Sequence, residues 1–325
     1  MQKPTPGLER PPEYPLSGWV EAGLYVFAIA FLSLTYVVGH RLGAHPIAFV
    51  LYAMLASAIV LLAITGPGPN ARAIITAPQT LSVGAGTIGM EIFYYQLLAH
   101  IAPAHGSLIV RLAIPVSMLV GFFLFKRRPA ALAVIGALVV TAGIVPLILL
   151  VPAAHRMEVL MVGLASAASF NLRGFSAEFH PWNRQAKTVM DKLQVTGLIV
   201  LATSLGSIGL CALAAFLMRL GLFTTSMVPT TAQMLHLPTF LLAALVGSVI
   251  LTAMAYLGFS AVVKITTENF TATSAFTPVA TLLLQVLAGA LGLLPVYVME
   301  PGLLPAMGVV VGGVLLILYA ARRRR

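Results

Sequence analysis

Ten stretches of about twenty mostly apolar residues follow one another along the chain, and this is what most limits how it can fold. A helix rising about 1.5 Å per residue needs about 20 residues to cross the ~30 Å hydrocarbon layer of a bilayer. The stretches run over 18–39, 45–65, 80–99, 105–125, 130–151, 157–177, 193–217, 239–262, 270–294 and 302–320. Breaks such as Gly66-Pro67-Gly68-Pro69-Asn70 and Lys126-Arg127-Arg128-Pro129 separate them. They are too long for barrel strands and lack strict alternation, so the expected fold class is an all-α integral membrane bundle of ten transmembrane helices. Of the 325 residues 59% are hydrophobic and only 9% charged, too few to cover a soluble globule. A single cysteine, Cys211, excludes an intramolecular disulfide and a cysteine-based zinc cluster.

Orientation follows from lysine and arginine, which stay on the cytoplasmic side. With the N-terminus inside, fourteen cations lie in the cytoplasm and three outside (Arg41, Arg156, Arg219). Both termini are then cytosolic. Residues 1–17, with five prolines, read as a disordered cytosolic tail, and 322–325 as a basic tail that anchors against anionic lipid heads. The net charge of +10 needs no nucleic acid to explain it.

The halves 18–152 and 153–321 look alike. Tyr95 to Pro115 gives a tyrosine, a short polar break and an apolar helix interrupted by proline, then Gly121 and a glycine-spaced helix from Gly136 to Gly143. Tyr256 to Pro278, Gly289 and Gly308 to Gly313 repeat the pattern. Five helices per half is an odd number, so the second copy is expected upside down. The loop at Val296 to Pro301, with Glu300 and no cation, suits the outer side. Inverted repeats are a common construction of secondary transporters.

The segments YYQLLAHIAPAHGSLIVRLAIPVSMLVGFFLFKRRP and AYLGFSAVVKITTENFTATSAFTPVATLLLQVLAG, with IGALVVTAGIVPL and MGVVVGGVLLILY after them, resemble the paired repeats of EamA-type permeases of the drug/metabolite transporter superfamily. The resemblance implies ten helices in the cytoplasmic (inner) membrane, a central cavity lined mainly by the first, third, fourth, sixth, eighth and ninth, rocking of the halves, and outward transport.

Ionisable groups deep in a bilayer are site candidates by default. Glu91 lies near the middle of the third helix, and Arg111 a third of the way into the fourth. Counting from their shared loop puts them about 13 Å and 9 Å deep, close enough for a structural salt bridge or for a substrate site. In the second case Arg111 meets a carboxylate, and Glu91 meets a cation or carries a proton. Gly84, Thr87, Glu91, Tyr95 and Leu98 share a helical face with Tyr94 beside it. Thr273, Thr277, Thr281 and Gln285 form a polar stripe in the ninth helix, read either as substrate contacts or as interhelical packing, with Pro278 freeing a backbone carbonyl. Ser33, Tyr36, Tyr256 and Phe259 complete the candidate lining. Arg173 is expected to snorkel to the interface, Glu178, His180 and Asp191 to be solvated, and Lys264 and Glu268 to pair at the surface. Six histidines fall at outer helix ends, with spacings that match no metal motif.

The expected activity is secondary transport of a small polar or zwitterionic metabolite such as an amino acid or amine compound, with proton coupling open. The expected partners are a small-molecule substrate and membrane lipids, with a homodimer compatible with both. A flippase for lipid-linked substrates, a facilitated exchanger or a sensor is the alternative. No cofactor or metal is called for. The only aspartate, Asp191, lies in a loop, and neither HExxH, GxSxG nor a phosphate-binding loop is present, so an enzyme is not expected.

Overall fold

The computed structural model describes residues 15–225, 228–295 and 302–323. The tail over 1–14, the Val296 to Pro301 loop with Glu300, and Arg324 and Arg325 lie outside the described residues. Among the described residues ten long helices run in order: α1 Leu16–Arg41, α2 Pro46–Thr65, α3 Pro78–Leu97, α4 Pro103–Phe123, α5 Ala131–Leu150, α6 Arg156–Glu178, α7 Val189–Arg219, α8 Leu237–Ile265, α9 Thr267–Ala290 and α10 Leu303–Arg323. Most of their ends fall within three residues of the expected spans. Proline in the first turn opens α2, α3, α4 and α8, where its missing N–H has no helical partner to lose. A capping box between Thr188 and Asp191 opens α7. Glycines with positive φ follow α1, α2, α7 and α9.

Eight of these helices, all but α3 and α6, are long and apolar enough to cross a membrane. Their outward faces are apolar too: Leu16, Val20, Leu24, Phe27 and Phe31 line the exposed side of α1, while Ser33 and Tyr36 are buried. Buried charges and an exposed apolar surface reverse the order of a water-soluble protein. The chain is an all-α, multi-pass membrane protein. The two less apolar helices, α3 and α6, pack on each other more extensively than any other pair among the described residues.

Three pairs of helices five places apart run antiparallel. Gly136 of α5 faces Gly313 and Ile317 of α10, whereas Gly143, two turns on, faces Val309 and Val310. A Cβ on Gly136 would lie 2.5 Å from the Gly313 carbonyl oxygen, and one on Gly313 2.6 Å from that of Gly136, so each backbone approaches where the other lacks a side chain. By the same test α2 runs against α7 (Leu61 at Gly197, Gly66 at Gln194), and α4 against α9 (Arg111 at Ser274, Gly121 at Glu268). Further, α3 packs on α6 as α8 does on α1, α2 on α8 as α7 on α3, and α9 on α1 as α4 on α6. Exchanging each helix for the one five places away turns this set of pairs into itself.

Candidate functional site

Prolines make the centre of the site. A proline has no N–H for the carbonyl four residues earlier, so Pro115 frees that of Arg111 and Pro278 that of Ser274. At those points α4 and α9 tighten into 3-10 turns, Val110–Leu112 and Ser274–Phe276. The two breaks meet. Arg111 Nη1 donates to the Ser274 carbonyl and, at 2.6 Å, to Ser274 Oγ, while Nε donates to the Ser107 carbonyl at 2.9 Å. Thr277 Oγ1 donates to the same Ser274 carbonyl at 2.6 Å.

Glu91 is held separately. Its Oε2 accepts from the Tyr36 hydroxyl, and its Oε1 has no hydrogen-bond partner among the described residues. It makes no hydrogen bond or ion pair with Arg111, and Arg173 lies near enough for its charge to act on the carboxyl. Beside it Tyr94 donates to Ser33 at 2.8 Å, because the Ser33 proton is committed to the Ile29 carbonyl at 2.7 Å. Tyr95 is fully buried, its ring 4.9 Å from that of Tyr36 and its hydroxyl bonded to the Ala44 carbonyl at 3.3 Å.

Several expectations are corrected. Arg173 does not reach the interface: it is buried, donates to the Tyr25 hydroxyl at 3.0 Å, and lies 5.7 Å from the ring centres of both Tyr25 and Phe259. Gly86 lets it sit there, since α3 crosses α6 with its backbone against that of Arg173. The α9 stripe divides. Thr273 and Thr277 bond their own helix, while Thr281 Oγ1 and Gln285 Oε1 have no partner among the described residues. Tyr256 is only partly buried and makes none of these contacts. Tyr25, Asn171 and Ser274 join the interior set unforeseen. Asn171 donates to the Ala113 carbonyl beside the α4 break at 2.8 Å, and Tyr25 lies in the combined field of Arg173, Glu91 and Arg111. Among Phe170, Arg173, Phe259 and Phe270 is a cavity of about 10 Å³, room for one water.

The end of the bundle at the α4–α5 loop is clasped by ions. Glu178 is buried rather than solvated. It accepts from Arg127 and caps α9 through the Thr267 N–H at 2.9 Å and Oγ1 at 2.7 Å. Arg127 also pairs with Glu268 at 2.7 Å. Burial works against the Arg127 charge, but the two carboxylates more than offset it and hold its pKa above the ordinary value. Lys264 therefore pairs not with Glu268 but with Glu21 of α1, at 2.5 Å. Each pair joins the first half of the chain to the second. Asp191 stays exposed, in its cap. His180 is fully buried. Its Nε2 donates to Thr80 Oγ1 at 3.0 Å, since the Thr80 hydroxyl proton goes to the Ile74 carbonyl. Burial pushes the His180 imidazole down to about 4.

No family model and no curated protein matches the chain. A solved crystal structure is similar over 94% of this chain and 98% of its own, with a TM-score of 0.59 and 21% identity. A likeness at that identity gives the fold alone.

Proposed function

We propose that this chain is a secondary transporter of the drug/metabolite transporter kind. In this reading α3 and α6 also cross the membrane, giving ten spans as two inverted five-helix repeats with both termini cytosolic, seated in the cytoplasmic membrane. Antiparallel packing of α2 on α7, α4 on α9 and α5 on α10 supports the inversion, because counterpart helices in inverted repeats must run oppositely. The substrate is a small polar or zwitterionic metabolite, and the resemblance to EamA-type permeases makes its direction outward. One observation carries the reading: apart from Glu178, which is paired with Arg127 in the end clasp, the buried charged groups among the described residues are two guanidiniums, Arg111 and Arg173, and one carboxyl, Glu91, with no ion pair between them. A bundle that only had to be stable gains nothing from an excess buried cation. A substrate carboxylate balances it, and the free Oε1 of Glu91 can take an amine or a proton.

The test is uptake of labelled amino acids and amines into proteoliposomes, with and without a pH gradient. Glu91→Gln is expected to abolish proton-driven accumulation and spare exchange. Arg111→Lys should slow carboxylated substrates more than simple amines, because lysine lacks the two-pronged guanidinium. Absence of uptake for both classes refutes the reading. A flippase is favoured by one feature, an apolar groove of about 260 Å³ between α1 and α9 that would take an acyl chain; protein-dependent movement of a fluorescent lipid between leaflets would establish it instead.

A further inference from the structure

At the end of the bundle opposite the Arg127 clasp, the turn leaving α3 brings His100 against the start of α6. That start carries His155 at the cap and Glu158 in the first turn. His100 Nε2 lies 3.2 Å from Glu158 Oε1, and His155 Nδ1 lies 3.6 Å from Oε2. The imidazole centres are 5.3 Å apart, and one donor atom of each residue lies within 4.8 Å of the other two. A tetrahedral ion with bonds of about 2.0–2.1 Å spaces its ligand atoms about 3.3 Å apart. The two measured edges, to different oxygens of the one carboxylate, lie near that spacing, and both imidazole nitrogens and one carboxylate oxygen lie within 4.8 Å of one another, so rotation of these exposed side chains would bring three ligand atoms onto one ion. All three residues are exposed, which leaves the fourth position to water. The neighbouring guanidinium of Arg156 turns the other way, donating to the Val151 and Leu149 carbonyls at the end of α5 at 2.8 and 2.7 Å. It does not compete for the carboxylate.

We propose that His100, His155 and Glu158 form a binding site for a borderline transition cation of the Zn²⁺ class. Two imidazoles and one carboxylate suit Zn²⁺, Ni²⁺ or Cu²⁺, whereas Mg²⁺ and Ca²⁺ favour all-oxygen sites. The site also straddles the molecule. His100 comes from the first half, His155 and Glu158 from the second, so a bound ion ties the halves together at this end. Zn²⁺ should therefore stabilise the fold as well as bind to it.

The experiment titrates Zn²⁺ into the full chain, purified in detergent and stripped of metal, with a chromophoric chelator as competitor and melting temperature as a second readout. The parent is expected to bind one ion per chain in the micromolar range and to melt higher with it. Losing a residue that only orients a ligand through a hydrogen bond already costs metal sites about 10–100-fold in affinity. Each of His100→Ala, His155→Ala and Glu158→Gln should therefore weaken binding by at least about tenfold and remove the Zn²⁺-dependent rise in melting temperature, while His236→Ala changes neither. Binding by the three variants equal to the parent's, or none by the parent, overturns the proposal. On the unmutated chain, where no variant has to fold, Zn²⁺ should shield His100 and His155 but not His236 from diethyl pyrocarbonate, read by mass spectrometry. Equal modification with and without Zn²⁺ overturns it as well.

Discussion

Arg111 carries its charge among carbonyls and hydroxyls, with no carboxylate against it among the described residues. Its presence was legible from one cation in an apolar run. Its partner was not, because depth counted along two helices does not say how they are rotated. Glu91 sits at a similar depth and bonds Tyr36 instead. The same limit misplaced Lys264 and Glu268, four residues apart in sequence, since the chain turns at Thr266 with φ +67° and sends them to different helices. His180 yields a pH prediction. Its imidazole titrates at about 4 in the fold against 6.5 when free, so the unfolded chain binds the extra proton between those values. Stability is thus full above about pH 6.5 and falls as pH drops toward 4, by roughly 3 kcal/mol at 1.36 kcal/mol per unit. Comparing melting curves at pH 7 and 5 for the parent and His180→Gln checks this: the variant should lose much of the slope, and an unchanged slope assigns it to other groups.

Helix positions could be read from composition because lipid tests each twenty-residue run separately, and most boundaries fell within three residues. What the runs could not disclose were the two 3-10 turns, since a proline says where a carbonyl is released and not what takes it up. In α9 it is Arg111. Pro278→Ala restores an N–H that can close on the Ser274 carbonyl, so the turn should relax toward α-helix and compete with the guanidinium. The expected result is little change in stability, within about 1 kcal/mol, because the regained helix bond offsets the weakened Arg111 contact. Transport should nonetheless fall severalfold in the proteoliposome assay, and retention of full activity would separate the break from the site.

At the scale of the molecule, ions hold one end of the bundle through pairs that cross between halves, Arg127 with Glu178 and Glu268, and Lys264 with Glu21. Removing charge there should open that end. Glu178→Gln keeps the α9 cap but loses charge-assisted bonds worth about 1.5–3 kcal/mol, or roughly tenfold or more in the open population. A Ser33→Cys reporter in a Cys211→Ser background, buried at the centre, should then react correspondingly faster with a membrane-impermeant maleimide applied from the α4–α5 loop side. No acceleration would make the clasp a fixed brace. By itself the sequence determined that the chain is a membrane bundle, where its helices lie, and that Glu91 and Arg111 are buried charges, because transfer of each segment into hydrocarbon depends only on local composition. Only the tertiary structure decided that Arg111 meets Ser274, that Arg173 turns inward onto Tyr25, and that Glu178 is buried under Arg127. Those outcomes depend on how antiparallel helices far apart in the chain are rotated against one another, which close glycine contacts and carbonyls released by proline set in three dimensions.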